Sequence, residues 1–291
     1  MKVDKVDLRQ IPECKAWTIR GGVKAIQEQK DIVLRHLERK DYTTGDLGSL
    51  RRASQAWLSG AKDIPVGESR TLLICLTVEA KRQKARKNFI LEGTLKNRPI
   101  SQCPEIGSLR PEELLKLDGG TTQWATAMYL AGDKRRVEKP SPKLAMTYEF
   151  DQDWEMRKLT NRIWRPRKDQ VILAQATAYL HLLRTGKLDF VPREAEDFCF
   201  ARTFGLMGDE EGARRWPSLA GHESNRLISM AKAYSQVIQR ELVDSKDHRV
   251  VQAAAMFAKA SGLKAEFAYP ESVNKSWPGF WDFMASATTA V

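Results

Sequence analysis

Six cations recur at one kind of place in this chain. Lys15, Arg20, Arg98, Arg226, Arg249 and Lys275 each stand at or near a junction where a loop enters a helix. Taken singly, each is an ordinary cap-region or surface charge. Gathered together they would form a strongly cationic site, because an arginine fork grips carboxylate or phosphate through two parallel hydrogen bonds. A second feature points the same way. Asp118–Gly132 places two glycines and two threonines, Thr121 and Thr122, ahead of a small-residue helix that Gly132 can end. Free backbone N–H groups at such a helix start, with the macrodipole behind them, favour an anion. The plainer reading of that stretch is a cap on a core helix. The chemistry suggested by both features is the handling of small, multiply charged anions.

The elements that must position these groups follow from periodicity and punctuation. Three stretches repeat one plan of a small-residue helix, a glycine and a short strand ending at proline. They run from Ala125 through Gly132 to Pro140, from Ala176 through Gly186 to Pro192, and from Ala253 through Gly262 to Pro270. Small helix faces let a helix lie close to a sheet, and the glycine turns the chain back. Stacked helix–strand units are the expectation. The alternation near the N-terminus predicts a first strand, followed by a proline-marked loop into a helix that carries Lys15 and Arg20. Asp46 is a candidate N-cap for a helix ending at Gly60, and Pro65-Val66-Gly67 reads as a turn before a buried helix over 71–78. Asn88–Leu95 is β-rich and delivers Arg98 to a loop. Asp169, Asn225 and Asp247 precede helical patterns, and 196–207 reads as a helix. Pro278 falls in the first turn of a short C-terminal helix.

Bulk properties narrow the classes. At 291 residues, 42% apolar and 29% charged, the chain can bury a sizeable core. No apolar run approaches a membrane span, and Met1–Lys5 lacks the apolar centre of a signal peptide. Four scattered cysteines without CxxC spacing fit reduced thiols in a cytosol, and with four histidines they form no metal-ligand pattern. The net charge of +11 admits nucleic acid or small anions as partners. The run Lys81–Lys87 lacks interleaved aromatics, so a solvated basic face is its preferred reading.

Seven short stretches, spread over most of the chain and in the same order, resemble the EPSP synthase group of enolpyruvyltransferases. His222-Glu223-Ser224-Asn225-Arg226 is similar to that family's Lys-Glu-Ser-Asp-Arg. Lys246-Asp247-His248-Arg249 is similar to its Asn-Asp-His-Arg, and Asn274–Phe280 to its Ala-Lys-Ser-Phe-Pro-Asp-Phe. Thr121-Thr122-Gln123, Ser141-Pro142, Lys96-Asn97-Arg98-Pro99 and Cys14-Lys15-Ala16 with Arg20 complete the set. The resemblance implies transfer of enolpyruvyl from phosphoenolpyruvate to the 5-hydroxyl of shikimate 3-phosphate, with release of phosphate, in aromatic amino acid biosynthesis. It implies that Lys15, Arg98, Arg226, Arg249 and Lys275 hold phosphoenolpyruvate. Arg20, Thr121, Thr122, Gln123 and Ser141 would hold shikimate 3-phosphate. Lys15, Glu223 and Asp169 would be the proton-handling groups, with no metal and no organic cofactor. The base is open between Asp169 and a carboxylate near Asp209, Glu210 or Glu211.

The expected fold is α/β, of two lobes built from helix–strand repeats and trimmed relative to the family. Residues 1–12 with 168–291 would form the lobe holding both termini. Residues 13–167 would form the second, with the active site in the cleft between. A cytoplasmic monomer is expected. The chain departs from the family at His222, Asn225, Ala16, Arg70 and Leu144, and it is shorter than usual members. These departures leave two further readings: a relative that binds an anionic ligand without turnover, and a transferase using another acceptor.

Overall fold

The computed structural model describes residues 6–97, 100, 103–105, 108–117, 121–132, 144–220 and 224–287. Among the described residues it is mostly helical (61%) with one small parallel sheet, so the α/β expectation holds only in its coarsest form. The chain divides into two compact units, Cys14–Arg167 and Met1–Glu13 with Lys168–Val291.

In the first unit, α1 (Lys15–Gln27), α2 (Ile32–Arg39) and α3 (Gly45–Leu58) precede a β–α–β element. Strand β1 (Asp63–Gly67) leads through α4 (Arg70–Arg82) to β2 (Asn88–Leu91), and the strands pair in parallel with Ile64 opposite Phe89. A short α5 (Pro111–Leu114), then α6 (Gln123–Leu130) and α7 (Ala145–Thr160), complete it. Helix α1 is buried from Trp17 to Ile26, so it needs close neighbours on every side. Gly21 and Gly22 provide the room. A Cβ at Gly22 would lie 2.5 Å from Leu50 Cδ1 on α3, and one at Gly21 would lie 2.8 Å from Trp164. Two mid-helix glycines cost about 1 kcal/mol each, which this packing must offset.

In the second unit, α8 (Gln170–Thr185), α9 (Phe198–Thr203), α10 (Asp209–Arg215), α11 (Arg226–Gln239), α12 (His248–Ala260) and α13 (Phe280–Ser286) pack around α12. Helix α12 faces two cores. Val250, Ala253, Ala254 and Ala258 meet Phe198, Met230 and Val237, whereas Val251, Ala255 and Met256 belong with Tyr179, Trp277 and Phe283. Its alanines therefore serve helix-on-helix packing rather than a sheet. The N-terminal segment is threaded into this unit. Ile11 is fully buried, the Trp277 indole N–H donates to the Gln10 carbonyl at 2.7 Å, and the Asp169 N–H donates to the Pro12 carbonyl at 2.9 Å.

Several expectations need correction. The helix–glycine part of the repeat is present, since Gly132, Gly186 and Gly262 end their helices at φ of 96°, 68° and 66°. The two strands that fall on described residues are not. Residues 187–192 form no ladder, and the segment after Gly262 keeps one isolated parallel bridge, Phe267 with Val243. A strand exists only where a neighbour accepts its hydrogen bonds, and neither segment has one along its length. Residues 135–140 lie outside the described part. The expected N-terminal strand is, over the described residues 6–11, a succession of turns. Pro65-Val66-Gly67 belongs to β1, where the missing proline N–H is tolerated at a sheet edge. The helix expected over 196–207 is a 3₁₀ turn, Ala195–Asp197, followed by α9. Asp46 lies inside α3 behind Thr44, which holds the N-cap position, and Pro278 precedes α13 rather than opening it.

Candidate anion site

The second unit gathers two of the predicted arginines around one carboxylate. Asp247 is the N-cap of α12, and its Oδ1 accepts the Arg249 N–H at 2.9 Å. Its Oδ2 accepts the Ser224 hydroxyl at 2.7 Å and Arg226 Nε at 3.0 Å. Asp247 is 3% exposed, so four features compete over its charge. Burial pushes the carboxyl up. The Arg226 guanidinium, the Ser224 hydroxyl and His248 outweigh it and hold the group at about 2. Asp247 is therefore a permanent anion that fixes Arg226 at the start of α11.

Arg249 is different. It is 7% exposed, and its Nε and Nη1 are buried with no hydrogen-bond partner among the described residues. Burying charged donors without acceptors is costly. The group stands at the N-terminal end of α12, where the dipole also favours negative charge. Lys275, in the 3₁₀ turn Pro270–Lys275, is exposed in the same unit.

Carboxylates near Arg249 come from a stretch that the sequence reading did not single out. Asp197 accepts from Gln175 Nε2 at 2.9 Å and from the N–H groups of Arg193 and Glu194 at 2.8 and 3.1 Å. The Glu194 side chain in turn accepts from the Asp197 N–H, which closes a reciprocal capping box. Partial desolvation, together with the like charges of Glu196, Asp197 and Asp169, drives the Glu194 carboxyl up to about 7, against the pull of Arg249. The acid-rich run Glu194-Ala195-Glu196-Asp197 was the available signal, and its cap spacing was legible. Asp169 caps α8 through Ile172 N–H at 3.0 Å. Asp209 forms a forked pair with Arg202 at 2.7 and 3.1 Å. Of the carboxylates considered for the base, Asp169 thus lies within the field of Glu194, while Asp209 pairs with Arg202. Glu223 lies outside the described residues.

The predicted groups of the first unit have their own surroundings. Lys15 Nζ is 2.9 Å from Asp46 Oδ2. Arg20 is buried, and Thr147 Oγ1 accepts from its Nε at 3.2 Å and its Nη2 at 3.0 Å, while Nη1 donates to the Ala16 carbonyl at 2.8 Å. Since Thr147 accepts twice from Arg20, its own proton goes to Thr126 Oγ1, 3.0 Å away. The Thr121 hydroxyl and the Gln123 carbonyl oxygen, at the start of α6, are buried without a partner among the described residues. Thr122 holds the N-cap position, but its side chain does not cap. Arg98 and Ser141 lie outside the described residues.

The basic run is largely spoken for. Lys81 pairs with Glu105, Arg82 with the fully buried Glu79, and Lys87 lies 5.1 Å from the Trp57 ring centre. All four cysteines are free, and burial pushes the Cys75 and Cys199 thiols up to about 12, which makes them poor nucleophiles. Among the described residues no helix is long and apolar enough to cross a membrane. In comparisons with protein families, curated proteins and solved structures, the chain matches none.

Proposed function

We propose that the chain transfers the enolpyruvyl group of phosphoenolpyruvate to the 5-hydroxyl of shikimate 3-phosphate and releases phosphate. The observation that carries this reading is Arg249, a buried guanidinium two of whose nitrogens have no partner among the described residues, in the unit where Asp247 already fixes Arg226. Arg226, Arg249 and Lys275 supply cations for the carboxylate and phosphate of phosphoenolpyruvate. In the other unit, the described members of the resemblance's acceptor set are Arg20, held by Thr147, and Thr121 and Gln123, whose buried polar atoms have no partner among the described residues. Addition of the hydroxyl across the enol double bond needs a proton on the methylene carbon and another taken from the hydroxyl. Loss of phosphate from one carbon, with removal of a proton from the newly formed methyl group, then restores the double bond. Fixed guanidinium groups stabilise the charge that accumulates on the departing phosphate. Glu194 is a described carboxylate within the field of Arg249, and a carboxyl at about 7 is suited to exchanging protons at neutral pH.

A second reading is binding without turnover. It is favoured by Lys15, whose ammonium already pairs with Asp46, and by Asp169, whose Oδ1 is committed to the α8 cap. Mass spectrometry of a mixture of the protein, phosphoenolpyruvate and shikimate 3-phosphate separates the two. The transferase reading requires the enolpyruvyl adduct of shikimate 3-phosphate. Protection by phosphoenolpyruvate with no adduct supports the second reading, and absence of both removes each.

A further inference from the structure

Gln252 follows Arg249 on α12 by three residues, which puts both side chains on neighbouring positions of one helix face. It is 3% exposed. Its Nε2 donates to Ser276 Oγ at 3.0 Å and reaches the Val273 carbonyl at 3.5 Å. A backbone carbonyl only accepts, so the amide nitrogen is the end turned toward Val273 and Ser276. The Gln252 Oε1 is then turned away, buried, and without a partner among the described residues. Among the described residues, one face of α12 thus holds two unsatisfied buried donors on Arg249 and one unsatisfied buried acceptor on Gln252.

Donors alone would suit any oxyanion. The added acceptor asks for a ligand that brings a proton of its own. We infer that Gln252 is a specificity-determining residue of the Arg249 site, and that it selects an oxyanion carrying an O–H, a hydrogen phosphate group, over a fully deprotonated one such as sulfate. This rests on the anion-site reading given above. At pH 8 hydrogen phosphate and sulfate are both tetrahedral dianions of similar size. Charge and shape therefore do not separate them, and only the P–OH can donate to Oε1. In the proposed reaction the esterified phosphate dianion has no such proton, whereas released hydrogen phosphate does. The site accordingly favours the departing group over the same group still bonded to carbon. Ser276, which holds the amide, follows Lys275 directly, so the same contact ties the Lys275 turn to the helix that bears Arg249.

Isothermal titration calorimetry at pH 8 and matched ionic strength, with inorganic phosphate and with sulfate, tests this. The wild-type protein should bind phosphate about tenfold more tightly than sulfate, the value of one good hydrogen bond to a charged ligand. Q252M should bind both equally at the sulfate level, and R249M should lose both. S276A, which frees the amide to rotate without removing it, should lessen the preference and keeps the test open should Q252M fail to fold. Equal binding of the two anions by wild type, or a preference that survives Q252M, overturns the role of Gln252 and leaves the arginine site standing. No binding of either anion by wild type, or binding unchanged in R249M, overturns the arginine site and this inference with it.

Discussion

Replacing Asp247 by asparagine removes a charge while sparing a cap. Asparagine is as good an N-cap as aspartate, so the bond to the Arg249 N–H survives. What is lost is the anion facing Arg226, in a pair whose side chains are 9% and 0% exposed. Holding the carboxyl at about 2 instead of 3.8 corresponds to about 2.5 kcal/mol of folding stability, and breaking a buried pair by removing one partner costs about 3–5 kcal/mol. The expected loss for D247N is therefore about 2–4 kcal/mol, or about 5–15 °C in Tm for a unit of this size. The sign with pH is fixed. A carboxylate whose folded pKa is depressed contributes its full stability above 3.8 and loses it as pH falls toward 2. Thermal melts of wild type and D247N should thus differ by a constant amount from pH 8 down to about pH 5 and converge below pH 3. D247A should lose about 1 kcal/mol more, for the cap. A D247N deficit under 2 °C, or one that stays the same at pH 2.5, would refute the reasoning.

Other substitutions probe separate parts of the account. Glu194 has a raised carboxyl, so the folded state holds an extra proton between pH 4.5 and about 7, and wild-type stability should fall as pH rises through that window. E194Q should flatten that slope in a series of melts and be the more stable protein at pH 8. T147V leaves two Arg20 N–H groups without their acceptor and should cost about 1–3 kcal/mol by urea titration, whereas T147S should retain most of the stability. G22A drives a methyl group to 2.5 Å from buried Leu50 and should cost about 1–3 kcal/mol despite alanine's higher helix propensity; a neutral or stabilising effect would show that α1 and α3 are not packed as described.

Local chemistry was legible in the sequence, and pairing between distant segments was not. Asp169, Asn225 and Asp247 are the caps their residue types suggest, and Gly186 and Gly262 end helices with positive φ, because these are decisions within one turn of chain. The strands after those glycines were misread, since a period-2 pattern states a preference that only a neighbouring strand can satisfy. β1 was missed for the converse reason: Pro65 looked like a turn until β2 supplied a parallel partner from 25 residues away. At the anion site, Arg226 and Arg249 could be named from their place at helix starts. The difference between them could not. Arg226 is held by Asp247, whereas Arg249 Nε and Nη1 have no partner among the described residues, and that follows from where Asp247 points its two oxygens. Gln252 carries no motif, and the cap spacing around Glu194 marks a turn but not a raised carboxyl. One is notable for an acceptor left unused, the other for acids crowded by folding.

The central claim is that Arg249 holds an anionic substrate during enolpyruvyl transfer. Continuous measurement of phosphate release, with phosphoenolpyruvate and shikimate 3-phosphate added singly and together, tests it most directly in wild type and R249A. The account predicts release only when both are present, and a fall of about a hundredfold or more in kcat/KM for R249A, since a charged group in a buried site is worth about 3 kcal/mol or more to the transition state. Release with either compound alone, or equal rates in wild type and R249A, would contradict it.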